Sequence, residues 1–130
     1  MAAYLSAAWF DDVNAAARAD EGLAAATAGA RVTLQQVVTG APGGEVRYWV
    51  RVADGVVEAG PGRAEGADAT VTSSYETAVA VSRGELAVDQ AVREGRVRLA
   101  GDVGLLVRSA AALGGVAAAV AGVRDRTTYG

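Results

Sequence analysis

The chain has no cysteine, no histidine and no lysine. Without cysteine there is no disulfide framework, no thiolate nucleophile and no zinc knuckle. With histidine missing too, a Ser-His or Cys-His pair cannot be built, and the usual zinc ligand sets are excluded. Methionine occurs only as the first residue and phenylalanine only as Phe10. The formal charge of −3 does not suit general nucleic-acid binding, which depends on neutralising phosphates. The longest uncharged apolar stretch, Ser109 to Val123, is shorter than the roughly 20 residues that span a bilayer, so stable membrane insertion is not expected. Met1-Ala2-Ala3-Tyr4 offers no basic start for a signal peptide, and Asp11-Asp12 falls where such a peptide would be apolar. Thr127-Thr128-Tyr129-Gly130 is not a peroxisomal address. The expectation is a soluble, cytoplasmic protein.

Carboxylates are the chemistry that remains. Asp11 with Asp12, and Asp20 with Glu21, read as solvated surface pairs. Asp102 reads as a helix cap and Asp68 as part of a turn before a strand. Gly60-Pro61-Gly62 lacks the Lys and Ser/Thr of a phosphate-binding loop. No catalytic residue, metal or cofactor is assigned, and the chain is not read as an enzyme.

What is abundant is alanine and valine, in a chain of 130 residues, the length of one domain. Small side chains bury little area each, at roughly 25 cal/mol per Å². They leave room for a ligand, or they reflect a biased base composition; only their placement can tell the two apart.

Ser6 is placed to cap a helix over Ala7 to Ala19, with Trp9, Phe10, Val13 and Ala17 on one face and Asp11 and Asp12 in its first turn. Leu23 to Ala28 adds a short helical turn. From Arg31 the period becomes two. Val32, Leu34, Gln36 and Val38 point one way, so Gln36 is expected to face the core; Thr33, Gln35, Val37 and Thr39 point the other. After the Gly40–Gly44 turn, Val46, Tyr48, Val50 and Val52 oppose Arg47, Trp49 and Arg51. Asp54-Gly55 signals a hairpin into Val56–Ala59. Ala69–Thr72 is a fourth strand, and Ser73 with Glu76 fits a capping box for a helix carrying Tyr75, Val79 and Val81. Leu86 to Val92 reads as a short helix ended by Gly95, and Val97 and Leu99 form the buried side of a fifth strand. Asp102 opens a last helix with Leu106, Ala110, Leu113, Ala117 and Val120 on one side. Strands with one apolar and one polar face imply an α+β fold, a five-stranded, largely antiparallel sheet covered on one face by helices. Arg47, Arg51, Arg96 and Arg98 share the uncovered face with Trp49, either as a partner or dimer surface or as solvated charges.

The order of these pieces resembles the sterol carrier protein 2 (SCP2) lipid-binding domain. The resemblance rests on the Asp54-Gly55 hairpin, Ala67-Asp68-Ala69-Thr70-Val71, Gly84-Glu85-Leu86, Gly95-Arg96-Val97-Arg98-Leu99 and Gly101-Asp102. Trp9-Phe10-Asp11-Asp12-Val13-Asn14 resembles small stand-alone bacterial members. It implies one SCP2-like domain over residues 1–130 that binds a fatty acid, a fatty acyl-CoA or a sterol-like molecule without catalysis. The ligand would sit in a tunnel between sheet and helices. Its expected lining is Leu34, Gln36, Tyr48, Val50, Val71, Tyr75, Val79, Leu86, Val97, Leu99, Leu106, Leu113, Val116 and Val120. The larger carriers line this space with Phe, Met and Leu, where this chain offers mainly Val and Ala. The alternative is an accessory or interaction module that uses the exposed face around Trp49, as a homodimer or with another partner.

Overall fold

The computed structural model describes residues 2–109, 112, 115–116, 118 and 121–129. A two-residue strand, β1 (Ala2–Ala3), precedes helix α1 (Ala7–Ala19). The side chain of Ser6 accepts the N–H of Trp9 and caps α1, and Phe10, Val13 and Ala17 are its buried stripe. Asp11 and Asp12 lie past the first turn, so neither sits at the positive end of the helix dipole as expected. Asp20 ends α1 and caps α2 (Glu21–Thr27) by accepting the N–H of Leu23 at 3.1 Å. A cap of this kind satisfies an N–H that the helix cannot, and is worth about 1 kcal/mol.

Strands β2 (Arg31–Thr39), β3 (Val46–Ala53) and β4 (Val56–Pro61) form an antiparallel meander. Asp54 and Gly55 both have positive φ, 47° and 90°, the geometry whose twist suits a two-residue hairpin. β5 (Ala69–Ser74) returns beside β2 in parallel, and β6 (Val97–Gly101) closes the sheet antiparallel to β5. The order is β4-β3-β2-β5-β6, so the sheet is mixed but mostly antiparallel.

The chain must cross from β4, at one edge, to the far side of β2. Gln35 holds that crossing down. Its amide nitrogen donates to Gly62 O at 3.2 Å and Tyr48 O at 3.0 Å, and its oxygen accepts the N–H of Ala64 at 2.7 Å. Gln35 is buried for this reason, while Gln36, expected in the core, is only half-buried. Alternation gave each residue the right face; the crossing loop covered the polar face at that point. Asp68 ends the crossing, accepting the N–H of Thr33 at 2.8 Å through its carboxylate.

Helix α3 (Tyr75–Ser82) is capped by Ser74 rather than Ser73, because β5 runs on and pairs Ser74 with Thr39. Ser74 Oγ accepts the N–H of Thr77 at 3.2 Å. Helix α4 (Val88–Arg93) leads back into β6, and Asp102 caps α5 (Val103–Arg108), accepting from Leu105 at 2.9 Å. α5 stops at Arg108, short of the long final helix expected; helical backbone recurs at Ala112, Gly115, Val116 and Ala118. Ala110, Leu113, Ala117 and Val120, expected along that helix, lie outside the described residues. A 3-10 turn (Ala121–Arg126) then delivers β7 (Thr127–Thr128), which pairs in parallel with β1. This second small sheet ties the two ends of the fold together, and nothing in the periodicity foretold it.

Candidate ligand-binding seam between two cores

Among the described residues, the covered face of the sheet carries two separate buried clusters. One buried cluster gathers Ala17, Leu23, Val32, Leu34, Val52, Val57, Ala69 and Leu106, with Leu99 and Val116 packed against it. A second gathers Phe10, Val13, Ala59 and Val123, with Trp9, Tyr48 and Val50 packed against it. Strand register places Leu99, Val71, Gln36 and Tyr48 side by side in one row across four strands. Leu99 belongs to the first cluster and Tyr48 to the second; Val71 and Gln36, between them, belong to neither. All four residues of this row are half-buried.

That exposure is unusual for its position. Along β2, Leu34 and Val38 on either side of Gln36 are 6% and 2% exposed. Along β5, Ala69 is 2% exposed, two residues from half-open Val71. A well-packed interior has almost no room left at native density, and the middle of a covered sheet is where packing is ordinarily tightest. Half-burial extends to Val50, Val46 and Ser73 in the adjacent rows, while Leu34, Val38, Ala69 and Val97 there are buried.

Of the expected lining, Leu34, Leu99, Leu106 and Val116 meet in the first cluster, and Tyr48 and Val50 at the second. Val71 and Gln36 bridge them in register. Val97 is buried beside Leu99's row, and Leu86 is half-buried after α3. Tyr75 approaches Tyr4 near the Tyr48 end of the row, and Val79 lies one turn further along α3. They line an open groove of about 490 Å³ with Arg83, Arg96 and Tyr129. The four-residue spacing of a helix puts them on one face of α3, and that face looks toward the C-terminal segment. Leu113 and Val120 lie outside the described residues. A larger polar cleft of about 780 Å³ runs past Thr72, Ser74, Arg96 and Arg98, and no residue of the row lines it.

One end of the seam is walled by aromatics that the sequence reading did not group. Tyr4 stands 5.0 Å from Trp9, 6.1 Å from Tyr75 and 5.1 Å from Tyr129, centroid to centroid. Trp9 and Phe10 in turn reach Tyr48 at 6.0 and 5.6 Å. All four tyrosines, the only phenylalanine and one of the two tryptophans thus share one assembly. Tyr4 and Tyr129 flank the β1–β7 pair, which is why no periodic pattern could announce them. Burial pushes the Tyr48 phenol up to about 12, against a smaller downward pull from its hydrogen bond to Tyr4. Burial, then the neighbouring tyrosines, raises Tyr4 further still. Both phenols stay neutral near pH 7, so the wall is polar only at its hydroxyls.

The opposite face of the sheet gives Trp49 a structural task. Its ring lies on Gly60, where an added Cβ would come within 2.5 Å of Cζ2, and Arg51 stacks 5.1 Å from its centroid. Arg47 pairs with Glu45 at 3.0 Å, and Arg96 with Glu94 at 3.7 Å in the turn before β6. Asp102 caps a helix and Asp68 closes the crossing, as expected; Asp20, read as a solvated surface charge, instead caps α2, and Asp54 in the hairpin turn pairs with Arg31.

The sequence profile of the SCP-2 sterol transfer family matches residues 10–114. The chain belongs to this family. The fold agrees with several solved structures of it. A conserved hypothetical protein of Thermus thermophilus, described as a candidate sterol carrier protein, superposes with a TM-score of 0.74 at 21% identity, covering 95% of this chain and 89% of that one. A crystal structure of sterol carrier protein 2 gives a TM-score of 0.72 at 20% identity, over 94% of this chain and 98% of the other. The palmitated SCP2-like 2 protein of Aedes aegypti gives 0.59 at 23% identity, over 78% and 87%. No curated protein sequence matches the chain. SCP2-family membership implies lipid or sterol binding and transfer, and among the described residues no helix is long and apolar enough to cross a membrane.

Proposed function

We propose that this protein is a non-enzymatic, cytoplasmic carrier of a hydrophobic, lipid-like molecule: a fatty acid, a fatty acyl-CoA or a sterol-like compound. The ligand lies along the half-open row of Leu99, Val71, Gln36 and Tyr48, between the sheet and the helices. Leu34, Val50, Leu86, Val97, Leu106 and Val116 surround it. The observation that carries this reading is the accessible row set between two buried clusters. A row left partly open to water forgoes some of the dispersion contacts that full burial would give. An apolar ligand restores those contacts, so binding is driven by burial at roughly 25 cal/mol per Å². Each half-exposed valine or leucine of the row contributes area that water now touches.

Native mass spectrometry of gently purified protein tests the proposal directly. A co-purified lipid, or saturable binding of the neutral fluorescent hydrocarbon diphenylhexatriene at micromolar concentration, is the expected result. Clean apo mass together with no probe uptake rejects it.

A further inference from the structure

Gln36 is an amide set in an apolar row. Its register neighbours are Val71 and Tyr48, and Leu34 and Val38 flank it along β2 on the same face. Gln35, next in sequence, spends its amide on three backbone carbonyls and one backbone N–H. Gln36 has no counterpart to these bonds: among the described residues no hydrogen bond reaches its side chain. Asn14, an amide on α1, is likewise engaged, bonding both the carbonyl and the N–H of Ala59. Tyr48 sits among the aromatics, with Trp9 and Phe10 at 6.0 and 5.6 Å. In the free protein the amide keeps access to water, since no described buried side-chain polar atom lacks a partner; a ligand filling the row removes that water, and an amide left unanswered there is costly.

Among the described side chains no arginine is buried beside the row. The chain has no lysine. The arginines whose side chains are described are exposed at the surface, or, for Arg51, stacked on Trp49 across the sheet. A primary amide is itself neutral, with one acceptor and two donors. It suits a group that is uncharged and both gives and takes a hydrogen bond. A lone carboxylate in the same apolar setting would meet a desolvation cost that one amide does not offset.

We infer that Gln36 selects ligands carrying a neutral hydrogen-bonding group, such as a hydroxyl, part-way along the seam, in preference to an ionised fatty acid. This rests on the carrier reading and narrows its ligand class. The test is competition against bound diphenylhexatriene by hexadecane, 1-hexadecanol and palmitate at pH 8, in the native protein and in Gln36→Leu. In the native protein 1-hexadecanol is expected to compete about tenfold better than hexadecane, the value of one well-placed hydrogen bond, and better than palmitate. In Gln36→Leu that ratio is expected to fall to about one, whatever the absolute affinity for hexadecane. Gln36→Met, which keeps the length of the side chain, is expected to behave the same way. Saturable diphenylhexatriene uptake by each variant shows that the seam has survived the substitution. A hexadecanol-to-hexadecane ratio that persists in both variants overturns the inference, as does native protein that prefers palmitate. If the native protein takes up no diphenylhexatriene at all, the carrier reading falls and this inference with it.

Discussion

Val71→Trp separates an accessible seam from a closed one by the sign of a single number. Val71 sits in the half-open row, between Leu99 and Gln36 in register. A buried indole removes about 200 Å² from water, on the order of 5 kcal/mol at 25 cal/mol per Å², against roughly 2 for a valine side chain. If the seam is open, the ring fills part of it. Realising even half the difference stabilises the protein by about 1.5 kcal/mol. If the two layers are in contact there, the ring is an overpacking substitution, which typically costs about 1–3 kcal/mol. The outcomes thus lie about 3 kcal/mol apart, well beyond the error of a urea titration read at constant slope. The same variant is expected to abolish diphenylhexatriene uptake, because the ring occupies the ligand's place. Equilibrium unfolding and probe titration on one preparation give both readings. Loss of more than about 1 kcal/mol, or full probe uptake at unchanged stability, refutes the reasoning.

Other expected outcomes follow from the walls and supports of the seam. Gly60→Ala should destabilise by about 1–3 kcal/mol, because the added Cβ meets the Trp49 ring at 2.5 Å; combined with Trp49→Ala, its cost should shrink markedly, and strict additivity in the double-mutant cycle argues against the contact. Phe10→Ala should cost about 3–5 kcal/mol by thermal or denaturant unfolding, since Phe10 is 4% exposed and joins Trp9 to Tyr48. The raised phenols make stability fall at alkaline pH. Tyr48 titrates near 12 when folded and near 10 when unfolded, so its contribution is complete below about pH 10 and is lost as pH rises through 12. Two pH units at about 1.4 kcal/mol each set an upper bound near 3 kcal/mol, and a Tyr4→Phe, Tyr48→Phe variant should keep a flatter stability profile over that range. Removing the α5 cap with Asp102→Ala should cost about 1 kcal/mol, measured by unfolding.

Much of the fold was legible because it depends on short-range rules. The period-two runs at Arg31–Thr39 and Val46–Val52 could only be strands with sorted faces, and both are. Ser6 and Asp102 capped as expected, since an N-cap bond spans only three residues. Where those rules were nearly degenerate they slipped by one residue. Two adjacent serines both satisfied the capping pattern, and pairing with β2 across the sheet decided for Ser74. Gln35 and Gln36 exchanged their expected burial because a loop arriving from Gly62–Ala64 covered the first.

The sequence by itself determined which residues share a face of each strand, where helices start, and that no histidine- or cysteine-based chemistry is available. Those properties follow from periodicity, capping geometry and side-chain inventory, all local to a few residues. The tertiary structure alone decided that Tyr4 and Tyr129, from the two ends of the chain, meet Trp9 and Tyr75 in one wall. It alone decided that Trp49 rests on Gly60, and that two buried clusters of described residues flank a half-buried row on the covered face of the sheet. These are contacts between segments far apart in the chain, set by how layers stack, and stacking distance is a property that no single segment encodes.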